Sequence, residues 1–315
     1  MGSIAKRHIS NLKILHPSSI IYVVSSTGKN FSKPENADFV IEIDDLLKIK
    51  PQLAIIASPA PFHVNVAKKL LKHDIPTIIE KPLANTFQSC SNLQSFCDSN
   101  SFNTLAVGYC LRFLPSAHVF KSFIESGALG NIYNVICNVG QFLPSWRPNI
   151  DYKNSVSAKN ELGGGALLEL SHELDYLLWI FGDLTLQHSI LRKTDELELD
   201  VEDIANLVLV NCNDVHVNLH LDFIQKSYQR KCEIIGQNGR VIWDLMKNEV
   251  TFYNSSGKST LYSKPNYDKN NMYIDLIRTF EEDSSNSSLA TLESSTKVLK
   301  IIDEAKMINS WKKKI

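Results

Sequence analysis

No stretch of 18 consecutive apolar residues occurs in this chain of 315, so no segment has the length to cross a bilayer as a helix. Neither sign of charge dominates: 33 Lys and Arg stand against 34 Asp and Glu, a net charge of -1. A binder of nucleic acid or of an anionic membrane needs a basic excess, and that class drops out. The first residues hold no apolar core and no cleavage pattern, so a secretory leader is not expected. The cysteines (Cys90, Cys97, Cys110, Cys137, Cys212, Cys232) form no Cys-x-x-Cys pair and lie mostly in apolar or strand-like contexts. Reduced, buried thiols in a cytoplasmic protein are the expectation. No internal repeat and no low-complexity linker is present.

What is there begins at the first residues. Gly2-Ser3-Ile4-Ala5 runs straight into a helical pattern and looks like the second half of a dinucleotide-binding turn, G-x-G-x-x-G/A. Gly2 takes the second glycine position and Ala5 the third small one. The first glycine, and the strand that would feed the turn, have no residues in this sequence. After that the first third alternates short apolar runs with helical stretches. The runs are Ile20–Val24, Phe39–Ile41, Leu53–Ala57, Thr77–Ile79 and Leu105–Gly108, with apolar residues at helical spacing from His63 to His73. Continuous apolar strands separated by crossovers predict a parallel, doubly wound sheet that lacks its first strand.

Near residue 130 the pattern changes. Segments 132–142, 186–193, 204–212, 215–224, 228–236 and 239–244 read as strands, several joined by short turns, which favours antiparallel pairing. From Val215 to Asp222 apolar and polar residues alternate, so one face packs and the other meets water, ligand or another subunit. His216 and His220 share the polar face, and no metal site is assigned to them. Helices are expected over 165–181, 271–282 and 290–311. The division follows as a dinucleotide-binding domain, 1–114, and an α+β domain with an open, mainly antiparallel sheet, 115–315. Its C-terminal helix is a candidate to pack back on the first domain.

Chemistry gathers in two places. Glu80-Lys81-Pro82 ends a predicted parallel strand, where open α/β sheets place ligand groups, so Lys81 is a candidate to face a crevice. Further on, Gly163-Gly164-Gly165 precedes Glu169, His172 and Asp175 on an apolar helical stretch. The glycines allow a sharp turn or a close approach to a ligand. The three ionisable residues follow at i, i+3 spacing, and on a buried helix they must be paired or functional.

These segments together resemble the oxidoreductase family typified by glucose–fructose oxidoreductase, inositol dehydrogenase and the rhizopine-catabolism protein (Gfo/Idh/MocA). The shared markers are Gly2-Ser3-Ile4-Ala5, Ser58-Pro59 with His63, Glu80-Lys81-Pro82, Gly108-Tyr109 with Arg112-Phe113 and Pro115, Gly127 with Gly130, and Gly163-Gly164-Gly165 leading to His172 and Asp175. The resemblance implies a nucleotide-binding domain followed by an α+β domain whose open sheet forms a homo-oligomer interface. It implies NADP or NAD as cofactor and a small sugar-like substrate, with no nucleic acid or membrane partner. Lys81 and His172 would be catalytic, with Glu169 beside His172; the family often has an aspartate four residues before the histidine, where this chain has Leu168. Gly2, Ser3, Ile4, Ser26, Thr27, Ser58, Pro59, His63, Glu80 and Lys81 would hold the cofactor. Arg112, Arg147, Tyr152 and Asp175 are candidates to hold the substrate. The segment from Leu143 to Tyr152 resembles a branch tied to surface-polysaccharide biosynthesis.

The implied reaction is hydride transfer between a nicotinamide and a sugar hydroxyl or carbonyl carbon. The alternative is a non-catalytic protein that binds a sugar or a partner with a shortened cofactor site. A working chain about ten residues longer at its N-terminus is a third reading.

Overall fold

The structure is a computed structural model, and it describes residues 1–25, 32–146 and 151–308. Contacts divide the chain into two units, 1–110 with 269–296 and 111–268 with 297–315. The boundary expected at 114/115 thus falls at 110/111, and a later segment returns to the first unit.

The first unit opens with helix α1, Ser3–Leu15, which turns His8, Ile9 and Asn11 inward. Strands β1 (Tyr22–Val24) and β2 (Phe39–Ile41) pair in parallel, and α2 (Ile43–Ile49) follows. Next come β3 (Ala54–Ile56), α3 (His63–Leu71), β4 (Thr77–Ile79), α4 (Phe87–Asn100) and β5 (Leu105–Val107). β3, β4 and β5 form a second parallel ladder in that order. All residues of β4 and β5 are buried, as continuous β-branched and aliphatic runs require when helices cover both faces. Thr86 caps α4, its hydroxyl accepting the Ser89 N–H at 3.2 Å. The parallel strands therefore form two separate ladders, β1-β2 and β3-β4-β5, among the described residues.

In the second unit, Pro115 starts α5 (Pro115–Glu125) at the position where a missing N–H costs nothing. After β6 (Ile132–Gly140) come α6 (Ala166–Glu169) and α7 (His172–Phe181). Then follow β7 (Leu184–Arg192), β8 (Ile204–Asn211), β9 (His216–Asp222), β10 (Gln229–Gly236), β11 (Gly239–Asp244), β12 (Glu249–Asn254) and β13 (Gly257–Ser263). They make one eight-stranded sheet, ordered β13-β12-β11-β10-β6-β9-β8-β7. β6 and β9 run parallel and the other neighbours antiparallel. On β6, Val135, Cys137 and Val139 face inward, and on β9, Val217, Leu219 and Leu221 do. Beneath them Trp243 packs against Tyr176 and Phe120, with ring centroids 5.0 and 5.3 Å apart. The last helices are α8 (Asn271–Glu282), in the first unit, and α9 (Leu292–Ile308), divided between the two.

Two expectations are corrected. The helix over 165–181 is two helices, because Leu170 leaves the helical region at φ -100°, ψ 28°. α6 is anchored separately: Glu202 C=O accepts the Ala166 N–H at 3.0 Å, and Glu202 Oε1 accepts the Leu167 N–H at 3.1 Å. The second correction adds β12 and β13, two strands that the apolar pattern did not signal. No helix of the described residues is long and apolar enough to cross a membrane.

Candidate active site

In the first unit the candidate residues collect at the carboxyl ends of β3 and β4 and at the start of α1. Ser58 and Pro59 follow β3, and Glu80 and Lys81 follow β4. The His63 ring ties the two loops together. Its Nε2 lies 2.7 Å from the Ser58 carbonyl oxygen, and its Nδ1 lies 3.1 Å from that of Pro82. Burial lowers the His63 pKa, and these carbonyls oppose that shift.

Glu80 is the hub. Its backbone N–H extends the ladder by donating to the Ile56 carbonyl at 2.9 Å. One carboxylate oxygen meets His8 Nε2 at 2.6 Å, and the other accepts the Lys81 backbone N–H at 3.1 Å. Gly108 permits this arrangement, since a Cβ there would lie 3.2 Å from the Glu80 carboxyl carbon. The buried carboxylate thus fixes the backbone from which the half-exposed Lys81 side chain extends. His8 lies three residues beyond the Gly2-Ser3-Ile4-Ala5 turn, and nothing local marks it as the partner of Glu80.

The start of α1 fits an anionic ligand. Gly2 is the N-cap in extended conformation, makes no side-chain cap bond, and has no acidic residue in the turn after it. A Cβ on Gly2 would meet nothing within 4 Å. The space beside Gly2 is therefore open, at the positive end of a 13-residue helix. A pyrophosphate would suit that position, with Gly2, Ser3 and Ile4 against it.

In the second unit, the glycine run serves the protein's own backbone. A Cβ on Gly164 would fall 2.5 Å from the Val156 carbonyl oxygen, and Gly165 holds φ +104° against Glu202. This close packing delivers Ser157 to α6, where its hydroxyl donates to Glu169 Oε2 at 3.0 Å. Burial raises the Glu202 pKa, with the Lys306 charge opposing.

His172 is the first residue of α7 and is largely buried. Because the helix breaks before it, Glu169 and His172 do not share one helical face as their spacing predicted. Behind His172 the two acidic residues of α7 are each gripped by arginine. Arg112 donates from Nε and Nη2 to the two Asp175 oxygens at 2.8 and 2.7 Å, and both side chains are no more than 3 % exposed. Arg230 donates to both oxygens of Glu173 at 2.6 and 2.8 Å. Burial raises the Asp175 pKa, and Arg112 works against it. Arg112 and Asp175, read from sequence as substrate-holding candidates, are thus engaged with one another. The Tyr152 hydroxyl accepts the Glu198 N–H at 3.3 Å. Ser26, Thr27 and Arg147 lie outside the described residues. His216 and His220 meet Asp214 and Asp222 on the outer sheet face, at 3.2 and 2.9 Å.

Residues 1–109 match the oxidoreductase family with an NAD-binding Rossmann fold, and residues 118–242 match the GFO/IDH/MocA C-terminal domain. An inositol 2-dehydrogenase of Ralstonia nicotianae is 24% identical over 230 residues, covering 71% of this chain and 63% of that protein. The rhizopine catabolism protein MocA of Rhizobium meliloti is 29% identical over 129 residues, covering 41% of this chain and 37% of its own. The chain therefore matches less than two thirds of the length of either relative. Among solved structures, a levoglucosan dehydrogenase in complex with NADH and levoglucosan superposes with a TM-score of 0.81. It is 16% identical, with 98% of this chain and 96% of that one covered. With both of its domains matched in order, the chain belongs to the Gfo/Idh/MocA oxidoreductase family.

Proposed function

We propose that the protein is an NAD(P)-dependent oxidoreductase acting on a secondary hydroxyl, or the matching carbonyl, of a small sugar or polyol. The observation that carries this is Lys81 at the carboxyl end of β4, its backbone held by the buried Glu80 carboxylate. The start of α1 receives the cofactor pyrophosphate, and the Ser58-Pro59 turn, held by His63, lies along its path. The bound nicotinamide supplies the hydride acceptor or donor. His172 takes the hydroxyl proton during oxidation and returns it during reduction, a task suited to an imidazole, which can both accept and donate a proton. Lys81 donates a hydrogen bond to the reacting oxygen and stabilises its developing negative charge. Glu169, fixed by Ser157, orients His172. Tyr152 and Arg147 hold the substrate's remaining hydroxyls, while the Arg112–Asp175 pair stiffens the start of the second unit. The buried thiols fit a cytoplasmic setting, and a role in surface-polysaccharide synthesis would follow if the substrate is a nucleotide-linked sugar.

The outer face of the eight-stranded sheet is the proposed contact with a second copy of this chain. Ile136 and Ile190 project from β6 and β7 with 41% and 46% exposure. Ile136→Glu should convert an oligomer to monomers in light scattering; a chain that is monomeric at every concentration removes this part of the reading.

The test of the function is turnover against a panel of polyols, hexoses and nucleotide sugars, followed by absorbance of reduced nicotinamide. His172→Ala and Lys81→Met should each lower kcat by roughly 10²–10⁴-fold on the substrate found, with the fold intact by circular dichroism. Cofactor and sugar binding without turnover across the panel would favour the non-catalytic reading instead.

A further inference from the structure

Two arginine–carboxylate pairs hold α7, and they differ in one respect. The Arg112 and Asp175 side chains are sealed, at 3 and 2 % exposure. Glu173 is sealed as well, but the Arg230 side chain retains 14 %. Arg230 shares the inner face of β10 with the buried Cys232 and Ile234. It pairs with Val139 of β6, one residue pair from the end of that ladder, where both strands leave the sheet. Its partner Glu173 directly follows His172 in α7. The pair therefore stands at the rim of the sheet, one helix residue from the candidate acid–base group.

The bonds of Arg230 show what remains to be used. Nε and Nη2 donate to the two Glu173 oxygens at 2.6 and 2.8 Å, which occupies one edge of the guanidinium fork. A guanidinium carries five N–H donors. Both donors of Nη1 and the second of Nη2 have no protein acceptor among the described residues. An anchor for α7 has no use for an open edge, and Arg112 shows the closed alternative on the same helix.

Charge narrows the ligand. Glu173 already neutralises the guanidinium, so a second carboxylate or a phosphate at the open edge would meet the Glu173 charge across the same group. Neutral oxygens meet no such repulsion. The open edge is planar and presents parallel N–H groups, a spacing that suits two oxygens on neighbouring carbons.

We propose that Arg230 holds two adjacent hydroxyls of the substrate, and so selects a neutral vicinal diol over a sugar acid or a simple secondary alcohol. Glu173 is its positioning residue. The inference rests on the proposed oxidoreductase reading for the hydroxyl that reacts at His172, and it adds Arg230 to Tyr152 and Arg147 as a substrate-holding group.

The experiment is calorimetric titration of the full chain, in the presence of NADH, with the panel of polyols, hexoses and nucleotide sugars. Each sugar that binds is compared with analogues lacking one hydroxyl of a vicinal pair. Removing either hydroxyl of the recognised pair should weaken binding roughly 10–100-fold, as expected for hydrogen bonds to a charged group. Arg230→Lys keeps a positive charge for Glu173 but loses the fork. It should weaken the parent sugar by a similar factor and leave the deoxy analogue unchanged. Glu173→Gln frees the guanidinium charge, so affinity for a uronic acid relative to its neutral sugar should rise by about tenfold or more. If Arg230 only anchors α7, both variants lower the thermal midpoint while the ratio of sugar to deoxy-sugar affinity stays the same. That result overturns the proposal. So does an unchanged preference between uronic acid and neutral sugar in Glu173→Gln, or a panel in which no vicinal diol binds. Diol binding that depends on Arg230 but brings no turnover leaves the proposal standing and removes the proposed activity. Turnover with unchanged KM in Arg230→Lys does the reverse.

Discussion

His8 Nε2 lies 2.6 Å from Glu80 Oε1, with both residues at most 6 % exposed, and joins α1 to the loop that carries Lys81. Removing one member of a buried hydrogen-bonded pair leaves the other unsatisfied, at a cost of roughly 1–3 kcal/mol. His8→Leu and Glu80→Leu should each destabilise by about that much in urea unfolding, and the double variant by clearly less than their sum. Simple additivity would mean that the two side chains are neighbours without coupling.

The Arg112–Asp175 pair makes a different demand. Both Asp175 oxygens are occupied by the guanidinium, so Asp175→Asn should lower the thermal midpoint while the KM for substrate changes little. The joint replacement Arg112→Met with Asp175→Leu should recover much of the loss, because no buried charge remains unpaired. A raised KM at an unchanged midpoint would return both residues to the substrate.

Glu202 predicts a pH dependence. Burial raises its pKa, so the folded state holds the proton more tightly than the unfolded chain does. The stability contributed by that difference is fully present below the unfolded carboxylate value. It is lost as pH rises through the folded value. Glu202→Gln can still accept the Leu167 N–H and carries no charge to bury. Its thermal midpoint should exceed that of the unaltered protein near neutral pH, with the gap closing on acidification towards the ordinary glutamate range, about pH 4. A gap of constant size across pH contradicts the raised pKa.

The segment after β1, Ser25-Ser26-Thr27-Gly28-Lys29, holds no carboxylate to accept the adenosine ribose hydroxyls and repel a 2′-phosphate. NADP should therefore bind at least as tightly as NAD in fluorescence titration. A preference for NAD of about tenfold or more would defeat that expectation, which rests on charge next to the ribose.

Much of the fold was legible in the residues. Thr77-Ile78-Ile79 and Leu105-Ala106-Val107 read as buried strands because an apolar run bounded by turn residues has few other uses. Val215 to Asp222 showed its two faces through strict alternation. β13 was not legible, since almost all of it is exposed and nothing selects a hydrophobic period there. The break at Leu170 escaped because every residue from Ala166 to Leu178 suits a helix; what divides them is Glu202 holding the first turn from a distant part of the chain.

The candidate site divides the same way. The sequence by itself determined the types and order of the chemical groups: a glycine at a helix start, a lysine after a parallel strand, a histidine beyond a glycine run. It also determined the near-even charge balance, because composition needs no coordinates. Only the tertiary structure decided which polar side chains face each other. Arg112 meets Asp175 across 63 residues, and His8 meets Glu80 across 72. Local spacing carries no information about such pairs, because their geometry arises only when distant segments pack together and exclude the water that would otherwise solvate each polar group.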